Sequence, residues 1–113
     1  MKRILIIDDD KDIRKLYAEY LRKDYDTLTA ESGNKGLALL KTETVDVVLC
    51  DIRMPDGDGF VFFNGIKQQP NRPLVFFISG EISLKEINHG ADGFFAKPPD
   101  FDHVIAILKR SIG

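Results

Sequence analysis

A chain of 113 residues, 43% hydrophobic and 30% charged, holds one domain with a core that needs no covalent staples. Its net charge of −2 leaves no basic footprint for nucleic acid or an anionic membrane, and its single cysteine excludes an internal disulfide. No apolar stretch approaches the ~18 residues of a membrane span, and the N-terminal one is too short for a signal peptide, so the expected location is the cytoplasm.

Ile4 to Ile7 predict a short all-apolar strand that ends on Asp8, Asp9 and Asp10. Asp10 or Asp12 then caps a helix whose inner face is Ile13, Leu16, Tyr17, Tyr20 and Leu21. Arg22 and Lys23 suit its negative end. Asp26 to Ala30 make a second, weaker strand. Ser32 caps a second helix, with Leu37 and Leu40 inward. Val45 to Cys50 is the third strand. Phe62, Phe63 and Ile66 mark a third helix, stopped before Pro70 and Pro73. Leu74 to Ile78 is a fourth strand, ending at Ser79-Gly80. A short fourth helix carries Leu84 and Ile87 to Gly90, and Gly93 to Ala96 is the last strand. Phe101, Val104, Ile105, Leu108 and Ile112 line a final helix. Five strands alternating with five helices predict an α/β domain over residues 1–113, with a parallel sheet covered on both faces.

The third strand carries the chemistry. Its run is apolar and β-branched, as in a strand buried on both faces, and it stops on the carboxylate Asp51. Pro55, Gly57 and Gly59 follow as turn residues. Open α/β sheets place their ligands at the carboxyl ends of the strands. There the first strand brings Asp8 and Asp9, the third Asp51, the fourth Ser79 and the fifth Lys97. Three crowded carboxylates need a counter-charge. Lys97 supplies one unit, and a hard divalent cation, most naturally Mg²⁺, supplies the rest. One carboxylate can then act as a nucleophile toward phosphorus while the cations stabilise the phosphoryl oxygens.

These residues carry a family resemblance. The chain resembles a response-regulator receiver domain of two-component signalling, of the chemotaxis-regulator kind, over its whole length. The matching residues are Ile7-Asp8-Asp9, then Leu49-Cys50-Asp51-Ile52-Arg53-Met54-Pro55 with Asp58-Gly59, then Ser79-Gly80, Gly90-Ala91-Asp92-Gly93-Phe94 and Lys97-Pro98. The resemblance implies a flavodoxin-like, doubly wound sheet of order 2-1-3-4-5. It implies Asp51 as phospho-acceptor, Asp9 as direct metal ligand, Asp8 acting on the metal through water, and the Arg53 carbonyl as a further ligand. Ser79 and Lys97 would hold phosphoryl oxygens, Phe94 would be the switch aromatic, and Lys97-Pro98 would be cis. The implied partners are a sensor histidine kinase or phosphotransfer protein and a downstream protein target, with phosphorylation-dependent dimerisation open. Direct nucleic-acid or membrane contact is not implied. The domain would catalyse only its own phosphorylation and dephosphorylation.

Two departures stand out. Ser79 and Lys97 lie about one helical turn closer than receivers usually space them, which shortens the fourth helix. Pro99 replaces the aromatic that commonly follows Lys-Pro. Both concern the output surface rather than the phosphorylation site.

Plainer readings apply elsewhere. Asp10, Asp12, Asp56 and Asp58 read as caps or surface acids, Cys50 as a core hydrophobe, and His89 and His103 as solvent-facing. Phe94 suits core packing as well as switching. Two other functions are open. Asp8-Asp9-Asp10 has the Asp-x-Asp form of haloacid-dehalogenase-like phosphatases, which use an aspartyl nucleophile, although Asp12 stands where that family has Thr or Val. A receiver-like adaptor indifferent to phosphate is the third reading. The chain is either a stand-alone receiver or a piece of a longer regulator.

Overall fold

The computed structural model describes residues 1–80 and 90–113. The apolar runs form strands β1 (Arg3–Ile7), β2 (Asp26–Ala30), β3 (Val47–Asp51), β4 (Leu74–Ser79) and β5 (Gly93–Ala96). All neighbours pair in parallel, in the order β2-β1-β3-β4-β5. The described helices are α1 (Lys11–Leu21), α2 (Gly33–Leu39), α3 (Gly59–Ile66) and α4 (Phe101–Ile112). Four helices, not five, therefore appear among the described residues. The expected short helix with Leu84 and Ile87 lies outside them, as does His89.

Burial on both faces explains why the strands are continuously apolar. Successive strand side chains point to opposite faces. Ile4, Ile6, Val47, Leu49, Phe76 and Ile78 feed one core with Tyr17 and Leu21 of α1 and with Val104 and Leu108 of α4. Leu5, Ile7, Val48, Cys50, Val75 and Phe77 feed the other, with Phe62, Phe63 and Ile66 of α3. Cys50 is fully buried, and burial pushes its thiol well up, so it behaves as a core residue.

Each described helix begins on a side-chain cap. Asp10, Ser32, Asp58 and Asp100 accept from backbone N–H groups of the first turns, satisfying donors that have no partner within the helix. Two expectations for α1 need correction. Leu16 and Tyr20 are 44% and 51% exposed rather than inward. The buried stripe is narrower and follows Tyr17 and Leu21 with partly buried Ile13 and Ala18. Tyr20 instead stacks on Phe101 at 4.5 Å between ring centres, at the seam of α1 and α4. The third strand also starts at Val47, not Val45. Asp46 serves as its anchor, donating its N–H to Arg3 O and accepting the Arg3 N–H at 2.8 Å.

Candidate phosphoryl-acceptor site

The register brings the acids together. Ile7 lies opposite Cys50, so the next residues, Asp8 and Asp51, stand at the same level at the carboxyl ends of β1 and β3. Ser79 lies opposite Ala96, which places Lys97 one step beyond, and the Lys97 N–H donates to the Ser79 carbonyl at 3.0 Å. The Lys97-Pro98 peptide is cis. Lys97 Nζ donates to Asp8 Oδ2 at 3.0 Å and to Asp51 Oδ2 at 3.4 Å. Asp8 Oδ1 accepts the Asp10 N–H and Asp51 Oδ1 accepts the Ile52 N–H, at 2.9 and 2.8 Å.

Burial differs sharply among the three acids. Asp8 is 1% exposed, Asp51 is part-buried and Asp9 is exposed. Burial raises the Asp51 carboxyl above its ordinary value, the Asp8 charge adds to this, and Lys97 opposes both. For Lys97, burial favours the neutral amine, but the Asp8 hydrogen bond and the two carboxylate charges outweigh it and raise its pKa.

Carboxylate oxygens of Asp8, Asp9 and Asp51 lie within 4.8 Å of one another. An octahedral Mg²⁺ with oxygens at ~2.1 Å spans about 4.2 Å between opposite ligands. The three carboxylates are therefore spaced on the scale of one such coordination shell. The donors are all hard oxygens, so the set fits Mg²⁺.

The loop after Asp51 is shaped by its glycines. Gly59 donates its N–H to the Ile52 carbonyl at 2.8 Å, and a Cβ on it would stand 2.7 Å from the Asp51 carbonyl oxygen. Glycine thus lets α3 start directly beneath the end of β3. Asp56 and Gly57 turn back at φ of 59° and 94°. Asp56 is more than the surface acid expected, because its carboxylate accepts Ser32 Oγ at 2.8 Å and Asn34 Nδ2 at 3.2 Å. With the Gly33 N–H on the Gly57 carbonyl at 2.7 Å, this latches the loop after Asp51 to the start of α2.

Ser79 is buried at the carboxyl end of β4. Arg53 is exposed two residues past Asp51. Phe94 is 44% exposed on β5, so core packing is not its role here. His103 is exposed and meets Phe95 edge-on at 5.8 Å. Sequence reasoning missed Arg14, whose Nη1 donates to the Asp8 carbonyl at 2.7 Å. No spacing rule announces that contact, since it depends on how α1 leaves the first strand.

With this geometry in place, comparison with known proteins is decisive. Residues 4–109 match the family described as the response regulator receiver domain. The chain belongs to that family. This receiver domain is 36% identical to the transcriptional regulatory protein YxdJ of Bacillus subtilis, over 99% of this chain and 51% of that protein. It is 34% identical to the DNA-binding transcriptional regulator NtrC of Salmonella typhimurium, over 96% of this chain and 24% of that protein. It thus spans about half the length of the first of these curated relatives and about a quarter of the second. Among solved structures it is similar to a CheY-like receiver domain protein of Methanospirillum hungatei, with a TM-score of 0.87, 29% identity, and 98% and 93% of the two chains covered. Similarity to the chemotaxis protein CheY4 of Vibrio cholerae gives a TM-score of 0.83, 26% identity, and 97% and 98% coverage. Receiver domains are signalling switches of two-component systems, in which phosphorylation and Mg²⁺ binding at an acidic cluster are typical. Asp8, Asp9 and Asp51 form such a cluster. No described helix is long and apolar enough to cross a membrane.

Proposed function

We propose that residues 1–113 act as one receiver domain in which Asp51 takes a phosphoryl group from a sensor histidine kinase or phosphotransfer protein. The observation that carries this reading is the Lys97 ammonium shared between Asp8 and Asp51, with Asp9 close by. A carboxylate oxygen of Asp51 attacks phosphorus, the new P–O bond forms as the P–N bond of phosphohistidine breaks, and the imidazole leaves. Lys97 shifts toward the phosphoryl oxygens, and the Ser79 hydroxyl donates to one of them. Asp9 and Asp51, the Arg53 carbonyl, and Asp8 through water would hold Mg²⁺, which offsets charge on those oxygens.

Movement of Ser79 toward the phosphate opens space on the β4–β5 side, and the exposed Phe94 ring turns inward to fill it. Without the hydroxyl of a tyrosine, that inward state gains packing but no polar tether. The switched surface then meets a downstream protein or a second copy of the domain. Water returns the phosphoryl group to solution in a reaction that the domain itself assists. The cytoplasm is the compartment that suits this traffic.

The phosphohydrolase reading fares worse. Asp8, its candidate nucleophile, is buried with one oxygen on Lys97 and the other on a backbone N–H, and Asp10 is occupied as a helix cap. Acetyl phosphate with Mg²⁺ should add one phosphoryl group to the wild type and none to Asp51→Asn, as read by intact mass. Continuous turnover of a phosphate monoester with no retained phosphoryl group would favour the enzyme, and target binding indifferent to phosphate the adaptor.

A further inference from the structure

The inner stripe of α1 contains a feature that packing alone does not require. Tyr17 is 2% exposed, in the core between α1, the sheet and α4, where its ring meets Phe101 edge-on at 5.0 Å. Its hydroxyl is buried and has no hydrogen-bond partner among the described residues. A buried hydroxyl in that state costs stability, and a phenylalanine ring would fill nearly the same space without that cost.

The neighbourhood of Tyr17 supplies a reason for it. Tyr17 and Lys97 line the same cavity of about 190 Å³, together with Ile13, Leu16 and Pro98. The phenol also feels the charges of the site. Burial pushes its pKa up to about 12, the Lys97 charge pulls against this, and Asp8 and Asp51 add to it. The group is therefore neutral at physiological pH and able to accept a hydrogen bond. Lys97 has three N–H donors, and the two carboxylates engage two of them.

We infer that Tyr17 is a positioning residue for Lys97, its hydroxyl oxygen accepting a third N–H as the ammonium moves from Asp8 toward the phosphoryl group on Asp51. The inference rests on the phosphoryl-acceptor reading above. Tyr17 does not touch the reacting atoms. It holds the ammonium on the line between Asp8 and the phosphoryl oxygens, so that the cation is in place while the P–O bond forms. Apolar walls make one hydrogen bond count for more there than in water.

The comparison of Tyr17→Phe with Tyr25→Phe tests this. Tyr25 carries the other buried, unpartnered hydroxyl among the described residues, but it precedes β2, at the opposite end of the sheet from the site. Both variants remove one oxygen and no ring. Tyr17→Phe should slow phosphorylation by acetyl phosphate about three- to tenfold, with Mg²⁺ affinity unchanged by amide titration and Tm equal to or above wild type. Tyr25→Phe should share the effect on Tm and leave the rate alone. A Tyr17→Phe rate within twofold of wild type overturns the inference. So does a slowed rate that comes with weaker Mg²⁺ binding or a lower Tm, or that Tyr25→Phe reproduces. A wild type that takes no phosphoryl group overturns the acceptor reading and this inference with it, and is distinguished by its failure before any variant is made.

Discussion

Lys97 Nζ stands 3.0 Å from Asp8 Oδ2 but 3.4 Å from Asp51 Oδ2, so the lysine of the site is held first by the most buried acid and only second by the proposed acceptor. Asp8 has little solvent to fall back on. Removing the lysine strands its charge, and removing one partner of a buried pair costs ~3–5 kcal/mol. Lys97 is 28% exposed, so we scale this to about 1–3 kcal/mol for Lys97→Ala in metal-free protein. Mg²⁺ should recover much of the loss. Urea melts with and without the ion check both parts, and a loss that ignores Mg²⁺ would count against the shared-charge account.

Asp51 gives a pH dependence whose sign follows from its raised pKa. A raised carboxyl binds its proton more tightly in the folded than in the unfolded chain. Its contribution to stability is full below the ordinary value of 3.8 and is lost as pH rises through the folded value. Above that window the ionised Asp51 is a burden in the metal-free domain. Asp51→Asn should therefore be more stable than wild type at neutral pH, by on the order of 1 kcal/mol. The gap should narrow as pH falls into the carboxylate range. Parallel urea melts across that range, with a chelator present, give the comparison.

Gly59 sets how closely α3 approaches the end of β3. A methyl group there meets the Asp51 carbonyl oxygen at 2.7 Å and Ile52 Cα at 3.0 Å, both backbone atoms that cannot swing aside. Gly59→Ala should cost ~1–3 kcal/mol, in the range of overpacked cores, and should slow phosphorylation by displacing Asp51. A thermal melt together with the acetyl phosphate rate measures both effects. An unchanged rate would mean the loop yields without moving the acceptor.

Ser32 joins two loops through one hydroxyl, which donates to Asp56 and accepts the Lys35 N–H as the cap of α2. Loss of such a cap costs ~0.5–2 kcal/mol. Ser32→Ala should show that loss and also faster amide exchange at Gly33 and Asn34, which rest on the acceptor loop. Exchange measured by NMR separates the latch from a simple capping effect confined to Lys35.

The order of elements was legible because strands covered on both faces are unbroken apolar runs, and Ile4–Ile7 and Val47–Cys50 could be little else. The site was legible because such runs ended on Asp8, Asp51, Ser79 and Lys97. Contacts set by three-dimensional angles were not. Helical spacing placed Leu16 and Tyr20 with Tyr17, but the width of the buried stripe depends on where α4 lies, and that left both exposed. Asp56 looked like any loop acid, since its tie to Ser32 joins segments of different crossovers. Tyr17 looked like core. Only the fold brings it to the cavity that Lys97 shares.

The central claim is that one carboxylate among three carries the phosphoryl group, and borohydride trapping tests it most directly. Reduction of an aspartyl phosphate marks its position as homoserine, which peptide sequencing by mass spectrometry locates. After treatment with acetyl phosphate and Mg²⁺, the label should appear at residue 51 alone and vanish in Asp51→Asn. Label at residue 8 or 9, or undiminished label elsewhere in Asp51→Asn, would contradict the account.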